Sequence, residues 1–462
     1  MGLTLRAQSS FAAPVFGDPR FYPTGTSPVA VVSGEFDSRP GVDLATANEA
    51  NTLTLLRNLG NGVFVPGASL DLPDRFTPTH MDTGDFNGDG IDDLAITADD
   101  LESFPSFLGS VVVFSSDGPF SYEMEALQTG LFPTCVLTAD LVPGPFLDLA
   151  VCATDSNGGG LVPVLSGNDR GSFGLFREIA TGAIVPTRLS YVDVDGDSFE
   201  DLLVVDENGD TIWMLPGNGS AALFGSPVPL AEAPLPADAT IAQLVPGGLP
   251  ELAVVSRLDN RLIVYRQVSP GVFGVTDVHS TGLLPIRVVA EDFDGDFLPD
   301  LLVLSNGSSQ VQLFLNAGDG SFELGEQVAV GSGPVDITVA DFNSDGKPDF
   351  ATANQDDESF GRDTQSVSVA LNGESPPLTP TQTGTPTVTA TPTSTPTVTR
   401  TPTASATPTP AGPADGNCDG VIDGADLELV VHAIFGRAAP CLVPPVRANF
   451  LVLVIRSLGE PL

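Results

Sequence analysis

Four short stretches of the sequence place oxygen-bearing side chains at alternating positions, a pattern that could hold a metal ion. They are GDFNGDGIDDLAIT (84–97), VDVDGDSFEDLLVV (192–205), EDFDGDFLPDLLVL (291–304) and ADFNSDGKPDFATA (340–353). Counting from the first Asp inside each stretch, positions 1, 3, 5 and 9 carry Asp or Asn. Ca²⁺ takes about six to eight such oxygen ligands and accepts irregular geometry. We therefore predict four calcium loops.

Each predicted loop offers four side chains and one backbone carbonyl. Without a cation, several carboxylates this close would repel one another. The alternative is a set of Asx-rich turns that bind no metal. The predicted side-chain ligands are Asp85, Asn87, Asp89 and Asp93; Asp193, Asp195, Asp197 and Asp201; Asp292, Asp294, Asp296 and Asp300; Asp341, Asn343, Asp345 and Asp349. The position 7 carbonyls belong to Ile91, Phe199, Leu298 and Lys347.

These stretches belong to a repeat with seven copies. Three weaker copies fill the gaps, so position 1 recurs at residues 35, 85, 140, 193, 243, 292 and 341, and it is acidic in every copy except the fifth, which has Gln243. The weaker copies have lost ligands, and we expect them to be metal-free. Their non-ligating residues are Arg39 in the first copy, Val142 and Gly144 in the third, and Val245 and Gly247 in the fifth.

Each repeat of about 50 residues reads as four short strands, for example 336–342 before an acidic loop and 300–306, 310–316 and 322–330 after one. Four strands at this spacing, with many Gly and Pro turns, predict an all-β, seven-bladed β-propeller over residues 13–374. The last repeat lacks its fourth strand, while residues 13–26 resemble that strand in other repeats. We expect the N-terminal segment to complete the seventh blade, which removes open sheet edges.

The units resemble FG-GAP repeats, also described as VCBS repeats, and the blades of the integrin α-subunit propeller. The resemblance rests on the recurring D-x-[DN]-x-D-G-x-x-D pattern followed by an apolar strand. It implies a structural calcium ion in some blades and a role in recognition or adhesion. An extracellular glycan or protein is the expected ligand.

The C-terminal region divides into a linker and a small module. Residues 375–413 are rich in Thr and Pro and cannot bury a core, so we predict an extended linker. The module at 414–462 begins with an EF-hand-type loop, DGNCDGVIDGAD (415–426). Its predicted calcium ligands are Asp415, Asn417, Asp419, the Val421 carbonyl, Asp423 and Asp426.

The module resembles a type I dockerin in which one of the two loops has degenerated. A second helix is predicted at 449–459, but the stretch before it has lost every acidic ligand. The resemblance implies a cohesin-like partner. A helical hairpin with one structural calcium ion, closing the C-terminus, is the alternative.

The charge of the chain limits its partners. The formal net charge is −41, from 59 acidic and 18 basic residues, which disfavours binding to nucleic acid and to anionic membranes. No apolar run is long enough for a transmembrane helix. We predict an extracellular or cell-surface location, although residues 1–17 lack the apolar core of a signal peptide. The pairs Cys135/Cys152 and Cys418/Cys441 are compatible with disulfides or with free thiols.

No catalytic motif is present in the sequence. None of the three His, at 80, 279 and 432, sits beside a convincing nucleophile or has metal-ligand spacing. We therefore predict a protein that is not an enzyme, with a ligand surface on the long loops at 98–110 and 354–365. A polysaccharide-degrading enzyme, either a lyase or a glycoside hydrolase, or another cellulosome-like component is the alternative, because dockerins often accompany such enzymes.

Overall fold

A computed structural model of the chain describes residues 16–100, 108–219, 223–355 and 365–373. The described residues form 27 β-strands and no helix, so the all-β prediction is confirmed for them. They contain no helix long and apolar enough to cross a membrane. The predicted linker, the C-terminal module and its ligands lie outside the described residues, as do residues 13–15 of the N-terminal segment.

Five sheets have four antiparallel strands each. One contains β2 (Pro28–Gly34), β3 (Asp43–Asn48), β4 (Thr52–Asn58) and β5 (Phe64–Asp71). Another contains β13 (Pro186–Val192), β14 (Asp201–Asp206), β15 (Thr211–Leu215) and β16 (Val228–Glu232). The next two contain β17 (Pro236–Ala242), β18 (Glu251–Ser256), β19 (Arg261–Ser269) and β20 (Val272–Ser280), then β21 (Pro285–Glu291), β22 (Asp300–Ser305), β23 (Gln310–Asn316) and β24 (Phe322–Ala329).

The fifth four-stranded sheet joins the two ends of the repeat region. Its strands are β25 (Pro334–Ala340), β26 (Asp349–Asn354), β27 (Ser366–Ala370) and the N-terminal β1 (Arg20–Pro23). Strand β1 pairs with β27, and an isolated bridge joins Phe16 to Asn372. The first strand of the chain therefore occupies the outer edge of the last sheet.

The sixth sheet has seven strands. They are β6 (Phe76–Gly84), β7 (Asp93–Asp100), β8 (Leu108–Gly118), β9 (Ser121–Ala139), β10 (Asp148–Thr154), β11 (Gly160–Gly167) and β12 (Phe173–Ala180). The long strand β9 pairs with β8 through its first part and with β10 through its second part. One strand thus serves two consecutive repeats.

The innermost strands close a ring, which gives the fold its propeller-like form. We call β2, β6, the second part of β9, β13, β17, β21 and β25 the inner strands. Each contacts the next in chain order, and β25 contacts β2. The ring places every acidic loop between an inner strand and the strand that follows it.

Burial varies systematically across each sheet. The second strands, such as β3, β14 and β22, are buried at every residue, whereas the outer strands, such as β12, alternate or are largely exposed. The core is divided into seven apolar clusters, each formed by neighbouring repeats. The side chain at position 2 of each loop packs into these clusters. It is Phe in four repeats, and all four are buried: Phe36, Phe86, Phe293 and Phe342.

A disulfide joins Cys135 on β9 to the directly opposed Cys152 on β10. Both residues are buried. Of the two possibilities that the sequence left open for this pair, the structure has the disulfide. Cys418 and Cys441 lie outside the described residues.

Candidate metal centre

The acidic loops are tight turns that depend on left-handed backbone at two positions. Position 4 has a positive φ in all four loops, at Gly88, Gly196, Gly295 and Ser344. Position 6 does as well, at Gly90, Ser198, Phe297 and Gly346. Glycine adopts this conformation without steric cost. The sequence predicted glycine or a small residue at position 6, and Phe297 departs from that expectation.

Backbone amides hold the position 1 carboxylate inside each loop. Asp292 accepts hydrogen bonds from the amides of Gly295 at 2.7 Å and Phe297 at 2.9 Å. Asp85, Asp193 and Asp341 accept equivalent bonds from positions 4 to 6 of their own loops. These bonds engage both oxygens of Asp85, Asp193, Asp292 and Asp341 and fix the orientation of each carboxylate within its loop.

Positions 3 and 5 are fixed by shorter turns. The position 3 oxygen accepts the amide of position 5, as in Asn87 and Asp89 at 2.9 Å. The position 5 oxygen accepts the amide of position 7, as in Asp296 and Leu298 at 2.8 Å. The same bond reaches Ile91, Phe199 and Lys347 in the other loops. Ligation by the position 7 carbonyls remains a prediction.

In two loops the carboxylates converge closely enough to share one cation. One oxygen each of Asp193, Asp195 and Asp197 lies within 4.8 Å of the others, and the same holds for Asp292, Asp294 and Asp300. The other two loops have Asn at position 3. There Asn343 donates to Asp345 at 3.3 Å, and Asn87 donates to the Ser116 carbonyl at 2.7 Å. The donor set in all four loops is the hard-oxygen set that suits Ca²⁺.

Position 9 has a structural role in addition to its predicted role as a ligand. The Asp300 carboxylate accepts the amide of Phe293 at 3.1 Å and that of Asn316 at 2.8 Å, which fastens the loop to the end of β23. Burial raises the pKa of Asp300 to about 7, against these stabilising bonds. Burial likewise raises the pKa of Asp93 and Asp349 to about 7.

The same fastening occurs in the three repeats whose loops have lost their other ligands. Asp43 accepts the amides of Asn58 and Phe36, and burial raises its pKa to about 7. Asp148 and Glu251 hold the corresponding loops of the third and fifth repeats. A buried carboxylate at position 9 is therefore needed by the repeat whether or not a metal binds there.

A degenerate loop replaces the missing ligand set with its own contacts. In the first repeat, the Arg39 side chain lies 3.8 Å from the buried Asp37 carboxylate. In the fifth, Gln243 donates to the Val245 carbonyl at 2.6 Å. The left-handed positions differ from those of the four acidic loops, since they are Ser38 and Gly41 in the first repeat and Gly247 in the fifth.

The sequence analysis did not predict a second recurring feature, an amide side chain that forms a hydrogen bond between neighbouring sheets. Asn58 at the end of β4 donates to the Phe342 carbonyl of the last repeat at 2.8 Å, across the closure of the ring. The same bond recurs in three later repeats, where an amide side chain donates to the position 2 carbonyl of the repeat before it. The donors are Asn316, Asn372 and Gln267. The recurring Asn or Gln before a Gly-containing turn was the available signal.

The loop face also exposes an aromatic side chain. Phe297 is 88 % exposed although its backbone has a φ of 72°. A cleft of about 370 Å³ lies on the same kind of loop in the second and third repeats, lined by Asp85, Asp140 and Phe146 among others. Most of the two long loops predicted to bind a ligand, 98–110 and 354–365, lies outside the described residues.

Comparisons with known proteins agree with the repeat and the fold. A family model described as FG-GAP-like repeat matches residues 36–96 and 292–352. The matched residues lie in the first, second, sixth and seventh repeats, which are similar to that family. A comparison with curated proteins gives no match.

Solved structures provide a likeness of fold. A crystal structure of BBS1N in complex with ARL6DN is 12 % identical, with a TM-score of 0.52, over 77 % of this chain and 97 % of that one. A proposed 6-phosphogluconolactonase from Bacteroides uniformis is 14 % identical, with a TM-score of 0.48, over 70 % of this chain and 88 % of its own. The first likeness supports the propeller-like fold alone.

Proposed function

We propose that this chain is a secreted, calcium-stabilised, seven-bladed propeller that recognises an extracellular glycan or protein. Counting β9 in both repeats that it serves gives seven blades, one for each inner strand and each sequence repeat. The FG-GAP-like repeats favour a recognition domain.

The observation that carries the calcium proposal is the convergence of three carboxylates in each of two loops. A divalent cation would offset their repulsion and fasten the loop between two strands of a blade. At a tenfold excess over its dissociation constant, each bound ion adds about 1.4 kcal/mol of stability. The proposed role is structural, with one further ion in the dockerin-like module.

The buried Cys135–Cys152 disulfide supports an extracellular location, because disulfides persist in oxidising compartments. For the ligand, the long loops at 98–110 and 354–365 remain the proposed surface. A second proposed surface is the face that carries the acidic loops, where Phe297 is exposed at a strained position. Strain retained at an exposed aromatic residue is a reason to look for a binding role. A cohesin-like domain is the proposed partner of the C-terminal module.

The test is a count of bound calcium in the purified full-length chain, together with thermal unfolding with and without EDTA. We expect about five ions, as four loops and one tail site predict, and a lower unfolding midpoint in EDTA. Asp296→Asn retains the oxygen that accepts the Leu298 amide but removes one carboxylate charge from the loop, next to the cluster formed by Asp292, Asp294 and Asp300. This variant should lose one ion while its midpoint in EDTA stays near that of the wild type.

Asp319→Asn is the matched control. Asp319 lies in the same repeat and accepts the amide of Ser321 in an exposed turn outside the acidic loop. Its calcium count should equal that of the wild type. A count near zero for the wild type, with no effect of EDTA, would reduce the acidic loops to ordinary turns. The repeat architecture would stand in that case, but the calcium proposal would not.

A further inference from the structure

The inner strands bring charged side chains together at the centre of the ring. Each inner strand contains a Pro. In six of the seven inner strands, the pairing with the second strand of the sheet shifts register between this Pro and the residue two places after it. Such bulges re-aim side chains. The residues at this place are Ala30, His80, Cys135, Arg188, Asp238, Arg287 and Asp336. We call His80, Arg188, Asp238, Arg287 and Asp336 the axial cluster.

Contacts between distant repeats show that the axial cluster converges. Arg287 on β21 donates to the Nε2 atom of His80 on β6 at 3.0 Å, although β21 and β6 are not neighbours in the ring. Burial and the two nearby guanidinium groups hold the pKa of His80 well below its usual value. His80 is therefore neutral at pH 7, as an acceptor of this bond must be.

Arg287 has a complete set of partners. Its Nε and Nη2 atoms lie 2.7 and 2.6 Å from Asp336 Oδ1, and its Nη1 atom lies 3.9 Å from Asp238 Oδ2. The Arg287 side chain is only 13 % exposed. Both carboxylates also accept backbone amides, from Val31 to Asp336 and from Val288 to Asp238. The two acidic members of the cluster are thus committed to Arg287 and to the backbone.

Arg188 lacks an equivalent set of partners. Its Nη1 atom donates to the adjacent Thr187 carbonyl at 2.9 Å, while its Nε atom is buried without a hydrogen-bond partner. Among the described residues it forms no ion pair within 4 Å, although the charges of Asp238, Asp336 and Glu207 act on it over longer distances. Burial and the neighbouring Arg287 lower the pKa of Arg188 to about 10. A buried Nε donor on a charged side chain calls for a hydrogen-bond acceptor, and a negatively charged acceptor forms the stronger bond.

We propose that the centre of the ring binds one small anion, a halide or a carboxylate, on the guanidinium of Arg188. Both kinds of anion carry a compact negative charge that can accept hydrogen bonds from the Nε and Nη atoms of Arg188. The anion would supply the close ion pair that Arg188 lacks among the described residues, and it would link β13 to the other inner strands. This site is separate from the acidic loops, so it does not depend on calcium.

The test compares unfolding midpoints of the full-length chain in sodium gluconate, whose anion is bulky, with increasing chloride or formate at constant ionic strength and constant calcium. For the wild type we expect a saturable rise of about 2 °C or more in at least one of the two series. A rise with chloride identifies a halide site, and a rise with formate alone identifies a carboxylate site. Arg188→Gln should remove the dependence on the anion.

Arg170→Gln is the control, because Arg170 lies in an exposed turn between β11 and β12. It should keep the full anion dependence. Equal dependence in the wild type and Arg188→Gln would overturn the proposal, as would no dependence in the wild type. If Arg188→Gln does not fold, anomalous diffraction from bromide-soaked wild-type crystals decides between a peak at the Arg188 guanidinium and a water molecule alone.

Discussion

Phe297 is the residue that departs most from the repeat pattern, because it places a large side chain at position 6 of an acidic loop. Three of the four acidic loops have Gly or Ser at position 6, where φ is positive, but this loop has Phe with a φ of 72°. A left-handed conformation costs a non-glycine residue about 1 kcal/mol or more. The side chain is 88 % exposed, so packing returns little of that cost.

We therefore predict that Phe297→Gly stabilises the chain by about 0.5–1 kcal/mol, because the relief of strain exceeds the extra entropy of glycine in the unfolded state. Chemical denaturation in excess calcium measures the difference. Phe199→Gly is the control, since Phe199 follows a position 6 serine and is not left-handed; it should destabilise the chain. A loss of stability in Phe297→Gly would mean that this side chain makes contacts that outweigh its strain.

At the scale of the strands and loops, the buried amide side chains are what joins one sheet to the next. Asn58 donates to the carbonyls of Val42 and Phe342, and its Oδ1 atom accepts the Gly60 amide. Asn58→Ala leaves the buried Phe342 carbonyl without this donor at the closure of the ring. We predict a loss of about 2–4 kcal/mol in the free energy of unfolding.

The control for this change is Asn61→Ala in the adjoining turn. Asn61 is exposed and its side chain accepts only the Val63 amide at 3.3 Å, so the expected loss is below about 1 kcal/mol. Urea denaturation of both variants provides the comparison. Equal losses would show that the contact between Asn58 and Phe342 does not govern closure.

The strands and loops were largely predictable because their signals are local and repeat along the chain. The alternation of side chains along a strand and the acidic pattern each lie within a short stretch of one repeat. The repeat itself recurs at a nearly constant spacing along the chain. The shared strand β9 was not predictable, since Gly130 and Pro133 lie within 121–139 and such residues usually mark the end of a strand. The axial cluster was also hidden, because His80 and Arg287 are 207 residues apart in the sequence and meet only once the inner strands have closed the ring.

At the scale of the whole molecule, the buried position 9 carboxylates make the metal-free chain sensitive to pH in an unusual direction. Burial raises the pKa of Asp43, Asp93, Asp300 and Asp349 to about 7, against 3.8 for an ordinary Asp. Between these values the native state binds more protons than the unfolded state. The resulting stability is complete below the unfolded pKa and is lost as the pH rises through about 7.

We predict that in EDTA the unfolding midpoint rises as the pH falls from 8 to 5.5, with about 1 kcal/mol or more for each of these carboxyl groups. Excess calcium should flatten or reverse this trend, because protons compete with the metal for the loop carboxylates. The net charge of −41 acts in the same direction by general repulsion. Salt at about 0.5 M screens that repulsion but not the protonation of buried groups, so the rise in EDTA should persist there. If the unfolding midpoint in EDTA and high salt decreases as the pH is lowered from 8 to 5.5, these carboxylates stay ionised in the native ring.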